Sequence, residues 1–521
     1  MLQDPVLMKA VSALLQRSER QQDLQKLIVS FVDVGILTQL ENRNNQVVYG
    51  RRGTGKTHIL KVLAAGLEKD RGNACLYVDA RTLGSSAQFS DANVALRHRC
   101  LALFRDIMVE VYNGLLDHIV NCPSSSADAA LTALSELSDA FLKPVTSYKE
   151  QALTTRTAAK AAEVSSVGFD AGTATGVEMG AQDAKETVRE QETTSSYGVD
   201  QDDKVIFPAL HSLLEEILQK AQAELFLLVD EWSSIPKDIQ PYLAEFFKKT
   251  FLPLSSVVVK IASLEYRSNF GAHAAGGNIG FEVGADISAS LDIDDYYVYD
   301  RNPQRITDAF SELLYRHLRN ELPAEFTAIT SGSSLASRLF SERATFEELV
   351  RASEGVARDL INIFSTAFFA AHRKGKEKIE KTEVFEAARQ WFEQDKERNL
   401  DDGLRTALRT IVENVIGSKR ARSFLLPREL ENHPTIQRLF DLRTLHLMQR
   451  GYADKDNPGV RYNIYTLDYG TYVDLMKTSR QPEIGFGDVD QTGLDGFVVP
   501  FDDKRSIRRI ILSRRDLDSP Q

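Results

Sequence analysis

The sequence has 521 residues, of which 26% are charged, and its formal net charge is −11, with 63 Lys and Arg residues against 74 Asp and Glu residues. At about 150 residues per domain, this length predicts roughly three or four domains. The negative balance excludes a histone-like protein that coats nucleic acid by bulk charge, but it leaves room for a local basic patch. Three cysteines are too few for a disulfide framework and too widely spaced for a zinc site. Neither a secretory signal nor a membrane-spanning run is recognisable, which predicts a cytoplasmic protein with no membrane partner.

Helix and strand patterns alternate along much of the chain. Residues 1–45 are predicted to be helical, residues 271–284 to be a loop rich in Gly and Ala, and residues 303–398 to be helical throughout. Strands are predicted at Gln46–Tyr49, Ala74–Asp79, Leu225–Val229, Val257–Ala262 and Tyr296–Tyr299. Strands that alternate with helices in this way predict an α/β fold with a parallel sheet.

The segment from about residue 125 to 203 interrupts this alternation. Its later part is rich in Ala, Ser, Thr, Gly and Glu and has few large apolar residues, so little apolar surface is available to offset the entropy of ordering. We interpret it as a flexible insertion that is dispensable for folding of the core. The period-2 pattern from Val167 to Met179 leaves open a projecting β-hairpin that serves a partner or an oligomer contact.

A complete phosphate-binding loop lies between the first predicted strand and the helix that follows it. The sequence G-x-x-x-x-G-K-[ST] is matched at every fixed position by Gly50, Arg51, Arg52, Gly53, Thr54, Gly55, Lys56 and Thr57. Glycines let the backbone curl so that its N–H groups point at phosphate oxygens, and the helix N-terminus adds its positive end. Lys56 is expected to reach the β- and γ-phosphates and Thr57 to bind Mg²⁺, so the motif predicts binding of ATP with Mg²⁺.

Asp230 and Glu231 follow the apolar strand Leu225–Val229. A buried central strand that ends in two acidic residues delivers a carboxylate beside the phosphate-binding loop. We expect Asp230 to hold the Mg²⁺ shell and Glu231 to act as the general base on the attacking water. Without the loop upstream, the pattern would equally fit a solvated strand end. With the loop, it favours hydrolysis over nucleotide sensing alone.

These motifs resemble those of AAA+ ATPases of the origin-recognition and Cdc6-like branch, and the stretch from Glu354 to Asn362 resembles the family's sensor-2 segment. The resemblance implies that Arg358 contacts the γ-phosphate, whereas by itself it would fit an exposed arginine on a lid helix. The sensor-1 position departs from the family pattern, with Ser263 as the first candidate and Glu265 as the second. For the arginine finger, the candidates are Arg267, Arg301 and Arg305, none of them in a recognisable context.

The C-terminal unit is predicted to be a winged helix, with helices at residues 403–416 and 435–449, short elements at residues 423–431, and strands around a turn at residues 456–459. Between residues 405 and 461 there are 11 Lys and Arg residues against 6 Asp and Glu residues, so this region is positive. Contact with duplex DNA is the predicted use for the charge, and a protein-binding surface is the alternative. The candidate phosphate contacts are Lys419, Arg420, Arg422, Arg438 and Arg443.

The predicted architecture is a P-loop AAA+ core with a parallel sheet, an all-α lid and a C-terminal winged helix. Its boundaries are expected at residues 1–45 for an N-terminal helical segment, 46–300 for the core, 301–398 for the lid, 399–480 for the winged helix and 481–521 for a basic tail. The predicted function is a Mg²⁺-dependent ATPase that couples ATP to assembly on DNA or remodelling of DNA, as a homo-oligomer or hetero-assembly. The alternative is an ATP-controlled signalling or assembly switch, for example in bacterial antiviral defence, whose winged helix binds protein. A DNA-translocating or transposition-linked ATPase is a third reading.

Overall fold

The computed structural model describes residues 1–14, 21, 23–84, 93–142, 206–274, 277–299, 302–417, 422–453, 459–471 and 510–518. Its helices are α1 (Pro5–Ala13), α2 (Leu24–Ser30), α3 (Leu37–Leu40), α4 (Lys56–Leu67), α5 (Leu96–Asn121), α6 (Ala127–Leu142), α7 (Phe207–Ala221), α8 (Gln240–Thr250), α9 (Pro303–Arg319), α10 (Gly332–Leu339), α11 (Arg343–Ala352), α12 (Ala357–Arg373), α13 (Lys381–Trp391), α14 (Asp402–Val412), α15 (Pro434–Asp441) and α16 (Arg514–Leu517). Its strands are β1 (Gln46–Tyr49), β2 (Asn73–Asp79), β3 (Glu224–Asp230), β4 (Val257–Ser263), β5 (Gly271–Ala274), β6 (Gly277–Gly280), β7 (Ser288–Asp292), β8 (Ser423–Pro427), β9 (Leu445–Ala453) and β10 (Arg461–Leu467). Among the described helices, none is both long enough and apolar enough to cross a bilayer.

The chain divides into two compact units. The first comprises Met1–Leu83, Glu224–Lys248 and Val257–Gln521, and it contains the sheet, the lid and the C-terminal domain. The second comprises Gly84–Ala223 and Lys249–Ser256.

The first unit is built on a five-stranded sheet of order β2-β3-β4-β1-β7. Every neighbouring pair in it is parallel, and β3 and β4 are buried along almost their whole length, as expected of central strands covered on both faces. The predicted α/β fold with a parallel sheet is therefore confirmed. Because the carboxyl ends of parallel strands meet at one edge, this edge holds both the phosphate-binding loop after β1 and Asp230 at the end of β3.

Two predictions between β4 and the lid were wrong. The last strand of the sheet is β7, not residues 296–299; Tyr297 instead stacks on Phe310 of α9 with ring centroids 5.5 Å apart. The aromatic residues at 296–299 therefore serve packing against the lid and do not form a strand of the sheet. The predicted loop at residues 271–284 also contains a small antiparallel ribbon, β5 paired with β6.

The N-terminal segment forms separate short helices and not one long helix. Asp4 and Asp23 accept hydrogen bonds from the first backbone N–H groups of α1 and α2. After α2, the side chain of Asp33 accepts hydrogen bonds from the backbone N–H groups of Gly35 and Ile36 at 2.9 Å each. Such local bonds compete with helix formation, so the chain turns here instead of continuing the helix.

The second unit corrects the prediction of a flexible insertion from residue 125. Helix α6 packs on α5 and on α7. Helix α6 lies inside the predicted insertion, and its apolar face is buried through Ala130, Ala133, Leu134, Leu137 and Phe141. Ala and Leu at helical spacing supply this face even though the segment as a whole has few large apolar residues. The predicted hairpin at residues 167–179 lies outside the described residues.

The lid and the C-terminal domain follow in chain order. Helices α9 to α13 form the predicted all-α lid, and their apolar faces share one core with the sheet. The C-terminal domain runs α14, β8, α15, β9, β10, with an antiparallel sheet of order β8-β10-β9. Its predicted short elements at residues 423–431 are the strand β8 and a 3₁₀ turn at Arg428–Leu430.

The predicted helix over residues 435–449 was too long. Helix α15 ends at Asp441, and Leu445 already begins strand β9. Arg443 has a left-handed φ of 61°, and the N–H of Thr444 donates to the carbonyl oxygen of Leu439 at 3.0 Å. This six-to-one bond around a left-handed residue is a Schellman ending, which stops the helix here. Arg443 therefore follows the helix, and Arg450, next to the end of the predicted helix, lies in β9.

Candidate active site

The phosphate-binding loop connects β1 to α4, as its motif requires. Gly53 and Gly55 have φ values of 90° and 101°, a region that costs little only for glycine. The Nζ of Lys56 donates to the carbonyl oxygens of Gly50 at 2.7 Å and Arg51 at 3.1 Å. The Lys56 ammonium thus lies folded into the loop, within reach of any phosphate that the loop would hold.

Asp230 lies beside this loop and is fully buried. Its Oδ2 accepts hydrogen bonds from the hydroxyl of Thr57 at 2.6 Å and from the hydroxyl of Tyr77 at 2.7 Å. Its Oδ1 accepts one from the backbone N–H of Glu231 at 2.8 Å. The hydroxyl of Thr57 and the carboxylate of Asp230 are adjacent oxygen ligands of the kind that Mg²⁺ prefers, so these residues fit the predicted metal.

Glu231 adopts a left-handed backbone conformation, with φ 55° and ψ 37°. A non-glycine residue in this region is strained, and strain of this kind concentrates at functional sites. Here the conformation follows the last residue of β3 and directs Glu231 into the lining of the cavity described next. A carboxylate in that place is suited to accept a proton.

A cavity of about 300 Å³ opens in front of the loop. Of the residues predicted to bind or act on the nucleotide, those that line it are Arg52, Gly53, Thr54, Gly55, Lys56, Thr57, Glu231 and Arg358. Residues that the sequence did not point to line the rest of it and include Lys26, Phe31, His58, Arg81, His317 and Asn320. Several of these come from the N-terminal segment and the lid, which the chain brings to the loop only on folding.

Three ionisable side chains at this cavity, those of Lys56, His58 and His317, are buried away from water. Burial lowers the pKa of Lys56, against the opposing effect of the Glu231 and Asp230 charges. Burial also lowers the pKa of His58 and brings that of His317 to about 4. The two histidine rings meet edge to face, with centroids 6.1 Å apart. Since the pKa of each is lowered, this side of the cavity is lined by uncharged aromatic rings at pH 7.

Arg358 lies at the start of lid helix α12 and lines the cavity. Its backbone N–H donates to the carbonyl oxygen of Gly53 at 3.1 Å. Gly355, with φ 76°, begins this segment, and a Cβ there would lie 2.5 Å from the carbonyl oxygen of Tyr297. Close packing on both sides fixes the position of Arg358 at the cavity.

The sensor-1 candidates do not reach this cavity. Ser263 is the fully buried last residue of β4, and its hydroxyl contacts that of Ser268. Glu265 is ion-paired with Arg450 of β9. Among the residues that the structure describes, neither side chain is part of the cavity lining.

The arginine-finger candidates are engaged elsewhere or undescribed. The Nε of Arg267 lies 2.7 Å from Oδ2 of Asp441 in the C-terminal domain. A terminal nitrogen of Arg305 donates to the carbonyl oxygen of Val34 at 2.6 Å. Arg301 lies outside the described residues.

The predicted DNA contacts of the C-terminal domain need correction. Arg422 and Arg443 are each 6% exposed. Arg422 pairs with Glu354 of the lid, and Arg443 pairs with Asp359 of α12. Because acidic partners enclose both side chains, neither faces a surface that DNA can reach in this conformation.

Of the three remaining candidates for phosphate contact, the structure describes only Arg438. Arg438 projects from α15 with a side chain that is 58% exposed, and it pairs with Asp401 at 2.7 Å. Lys419 and Arg420 lie outside the described residues.

Comparison with known proteins extends the sequence resemblance. Residues 17–75, which include the phosphate-binding loop, match the model of the ORC-CDC6-like family. No curated protein sequence is significantly similar to the chain.

Solved structures of several proteins match this chain at low similarity. The Cdc6p structure from Pyrobaculum aerophilum is 12% identical, with 90% of this chain and 97% of that chain covered at a TM-score of 0.32. The Aeropyrum pernix ORC2 protein, in ADPNP and ADP complexes, is 12% identical, with coverages of 90% and 97% and a TM-score of 0.30. A RuvB mutant from Thermotoga maritima is 11% identical, with coverages of 87% and 94% and a TM-score of 0.32. The family match over residues 17–75 confirms the resemblance of this chain to ORC-CDC6-like proteins.

Proposed function

We propose that this protein binds ATP with Mg²⁺ in the cavity and hydrolyses it. The observation that carries the proposal is the hydrogen bond of 2.6 Å between the hydroxyl of Thr57 and Oδ2 of Asp230, with Lys56 and Glu231 at the same cavity. A loop lysine, two oxygen ligands and a carboxylate at one cavity are the parts that phosphoryl transfer to water needs.

Each residue has a distinct role in this proposal. The backbone N–H groups of the loop and the ammonium of Lys56 bind the phosphates, while Arg358 reaches the γ-phosphate from the lid. Thr57 and Asp230 would hold the Mg²⁺, which would supply positive charge to the phosphate oxygens. Glu231 orients the attacking water and accepts its proton.

The wider proposal is an ATPase that assembles on duplex DNA, alone or with other chains, as the family resemblance suggests. The C-terminal domain supports this with Arg438, and with Lys419 and Arg420 by sequence alone. The burial of Arg422 and Arg443 removes two candidate phosphate contacts and so weakens the case for DNA relative to the second candidate, an ATP-controlled assembly switch whose C-terminal domain contacts protein. In the structure, both arginines pair with acidic residues of the lid of the same chain.

Nucleotide binding and turnover, measured on the same preparations, test the central proposal. Lys56→Ala should lose ATP binding, whereas Glu231→Gln should bind ATP and turn it over about 10²–10⁴-fold more slowly. Glu216→Gln, which changes an exposed carboxylate paired with Lys220 on α7, is the matched control and should behave like the wild type. Failure of the wild type to bind ATP at millimolar ATP and Mg²⁺ would overturn the proposal, and equal turnover by Glu231→Gln would remove Glu231 from it.

A further inference from the structure

Arg51, the second residue of the phosphate-binding loop, is held by groups from three parts of the chain. It is 7% exposed, and its backbone N–H and Nε each donate to Oδ2 of Asp294 at 3.0 Å. One terminal nitrogen donates to the carbonyl oxygen of Glu354 in the lid at 2.9 Å. The other contacts Nδ1 of His446 in strand β9. The guanidinium therefore anchors the loop and does not line the nucleotide cavity.

The contact with His446 links the loop to the C-terminal domain. A guanidinium can only donate hydrogen bonds, so Nδ1 of His446 accepts and the ring proton lies on Nε2. Nε2 is 2.9 Å from Oδ2 of Asp468, which also accepts from the ammonium of Lys396 at 2.5 Å. His446 is 2% exposed and Asp468 is 1% exposed. The imidazole is thus fixed in one orientation and one tautomer, with its acceptor nitrogen turned to the loop.

A second connection runs through the lid. Asp359, which follows Arg358 in α12, is fully buried and lies 3.0 Å from the ammonium of Lys396. It also pairs with Arg443 of the C-terminal domain. Hence two consecutive residues connect different sites: Arg358 lines the nucleotide cavity, and Asp359 holds the C-terminal domain. Separating such buried pairs leaves uncompensated charges, so the loop, the lid and the domain resist moving independently.

We propose that His446 is a positioning residue for the phosphate-binding loop, so that the docked C-terminal domain strengthens nucleotide binding and bound nucleotide holds the domain docked. This inference rests on the proposed function. The carbonyl oxygens of Gly50 and Arg51 now accept from Lys56, and they must release it when Lys56 turns to a phosphate. The contacts of Arg51 with Asp294, Glu354 and His446 then hold the backbone of the loop in position. By linkage, the effect of the domain on nucleotide affinity equals the effect of nucleotide on the domain.

Nucleotide affinity of full-length variants tests the first half of the inference. His446→Phe keeps the ring but removes both polar atoms, and it should weaken ATP binding by about 5- to 100-fold, the usual range for coupled sites. His446→Gln retains an acceptor for Arg51 and a donor for Asp468, and it should recover most of the affinity. His433→Phe is the control, because His433 also pairs with an aspartate of the same domain, Asp518 at 3.0 Å, although that pair is more exposed. It should bind ATP like the wild type.

Hydrogen exchange tests the second half of the inference, and its first measurement, on the unmodified protein, does not depend on whether a variant folds. Saturating ATP with Mg²⁺ should slow exchange of the amides in β9, and this protection should disappear in His446→Phe. Unchanged exchange in β9 of the wild type, or wild-type affinity in a folded His446→Phe variant, would overturn the inference while leaving the proposed function intact. Absence of ATP binding by the wild type would overturn both.

Discussion

The backbone N–H of Arg358 donates to the carbonyl oxygen of Gly53 at 3.1 Å, and a Cβ added to Gly53 would lie 2.8 Å from the Cβ of Arg358. The lid helix therefore begins directly against the phosphate-binding loop, with no room for a side chain between them. The short distance between the start of α12 and the loop places Arg358 at the cavity, and it also makes glycine necessary at position 53. Gly55, two residues later, has a similar φ, but an added Cβ would meet nothing within 4 Å.

This difference predicts that Gly53→Ala destabilises the nucleotide-free protein more than Gly55→Ala does. Both variants pay for a left-handed alanine, roughly 1–2 kcal/mol, but only Gly53→Ala must also push the start of α12 away. Urea denaturation of the two variants measures the two free energies of unfolding. Equal losses would show that the lid does not press on the loop in solution.

Tyr77 is predicted to orient Asp230 for metal binding. Its hydroxyl donates to the same oxygen that accepts from Thr57, and removing an outer partner of a metal ligand typically costs about 10–100-fold in metal affinity. Tyr77→Phe should therefore raise the Mg²⁺ concentration needed for half-maximal ATP turnover by about 10-fold. The ring and its contact with the Lys61 ammonium, 5.8 Å from the ring centroid, remain in the variant, so its melting temperature serves as the control. An unchanged Mg²⁺ requirement would exclude this role for Tyr77.

The sequence was informative wherever function depends on contiguous residues. Residues 50–57 and Asp230 could be found because a phosphate-binding loop and a strand that ends in acid are local patterns. Phe31 and His317 could not be found, since they reach the cavity only after segments far apart in sequence pack together. Arg443 was misread for the same reason: a count of charges gives the sign of a segment but does not show that Asp359, 84 residues away, pairs with it.

Because His317 is buried, we expect the folded protein to lose stability in mild acid. Burial, aided by the nearby His58, lowers the pKa of His317 to about 4 in the folded protein, from 6.5 for an exposed histidine. Between these values the unfolded chain binds more protons than the folded chain, so stability is complete above pH 6.5 and falls as the pH drops toward 4. Each pKa unit of the shift corresponds to about 1.4 kcal/mol.

The measurement compares His317→Gln with the wild type at pH 7 and at pH 4.5. The variant cannot take up this proton, so its free energy of unfolding should fall less between the two pH values. Other groups that titrate in acid are common to both proteins and cancel in the difference. Identical pH dependence would mean that His317 is protonated as readily in the folded protein as in the unfolded chain.

Helix α6 makes a prediction that replaces the expected dispensability of the whole segment from residue 125. Phe141 is 1% exposed and Leu142 is 54% exposed, so these neighbours form a matched pair. Phe141→Ala should destabilise the second unit by about 3–5 kcal/mol, whereas Leu142→Ala should change stability by about 0.5 kcal/mol or less. Thermal unfolding followed by circular dichroism distinguishes them. Similar midpoints for the two variants would show that α6 is not packed.

If the protein binds duplex DNA, substitution of Arg438 and of Arg443 should affect that binding differently, although the sequence predicted both as phosphate contacts. Arg438 is exposed on α15, whereas Arg443 is buried against Asp359. Each phosphate contact that is lost should flatten the slope of log affinity against log salt by roughly 0.9. Arg438→Ala should therefore weaken duplex binding and flatten the slope by about that amount.

Arg443→Ala should leave the slope unchanged, because the wild-type side chain reaches no phosphate in this conformation. It should instead loosen the C-terminal domain from α12, which limited proteolysis would detect as faster cleavage. The negative net charge of the whole chain makes the measurement discriminating, since bulk charge cannot produce the attraction. Negligible duplex affinity of the wild type at physiological salt, together with no change in slope for Arg438→Ala, would favour the alternative in which the C-terminal domain binds protein.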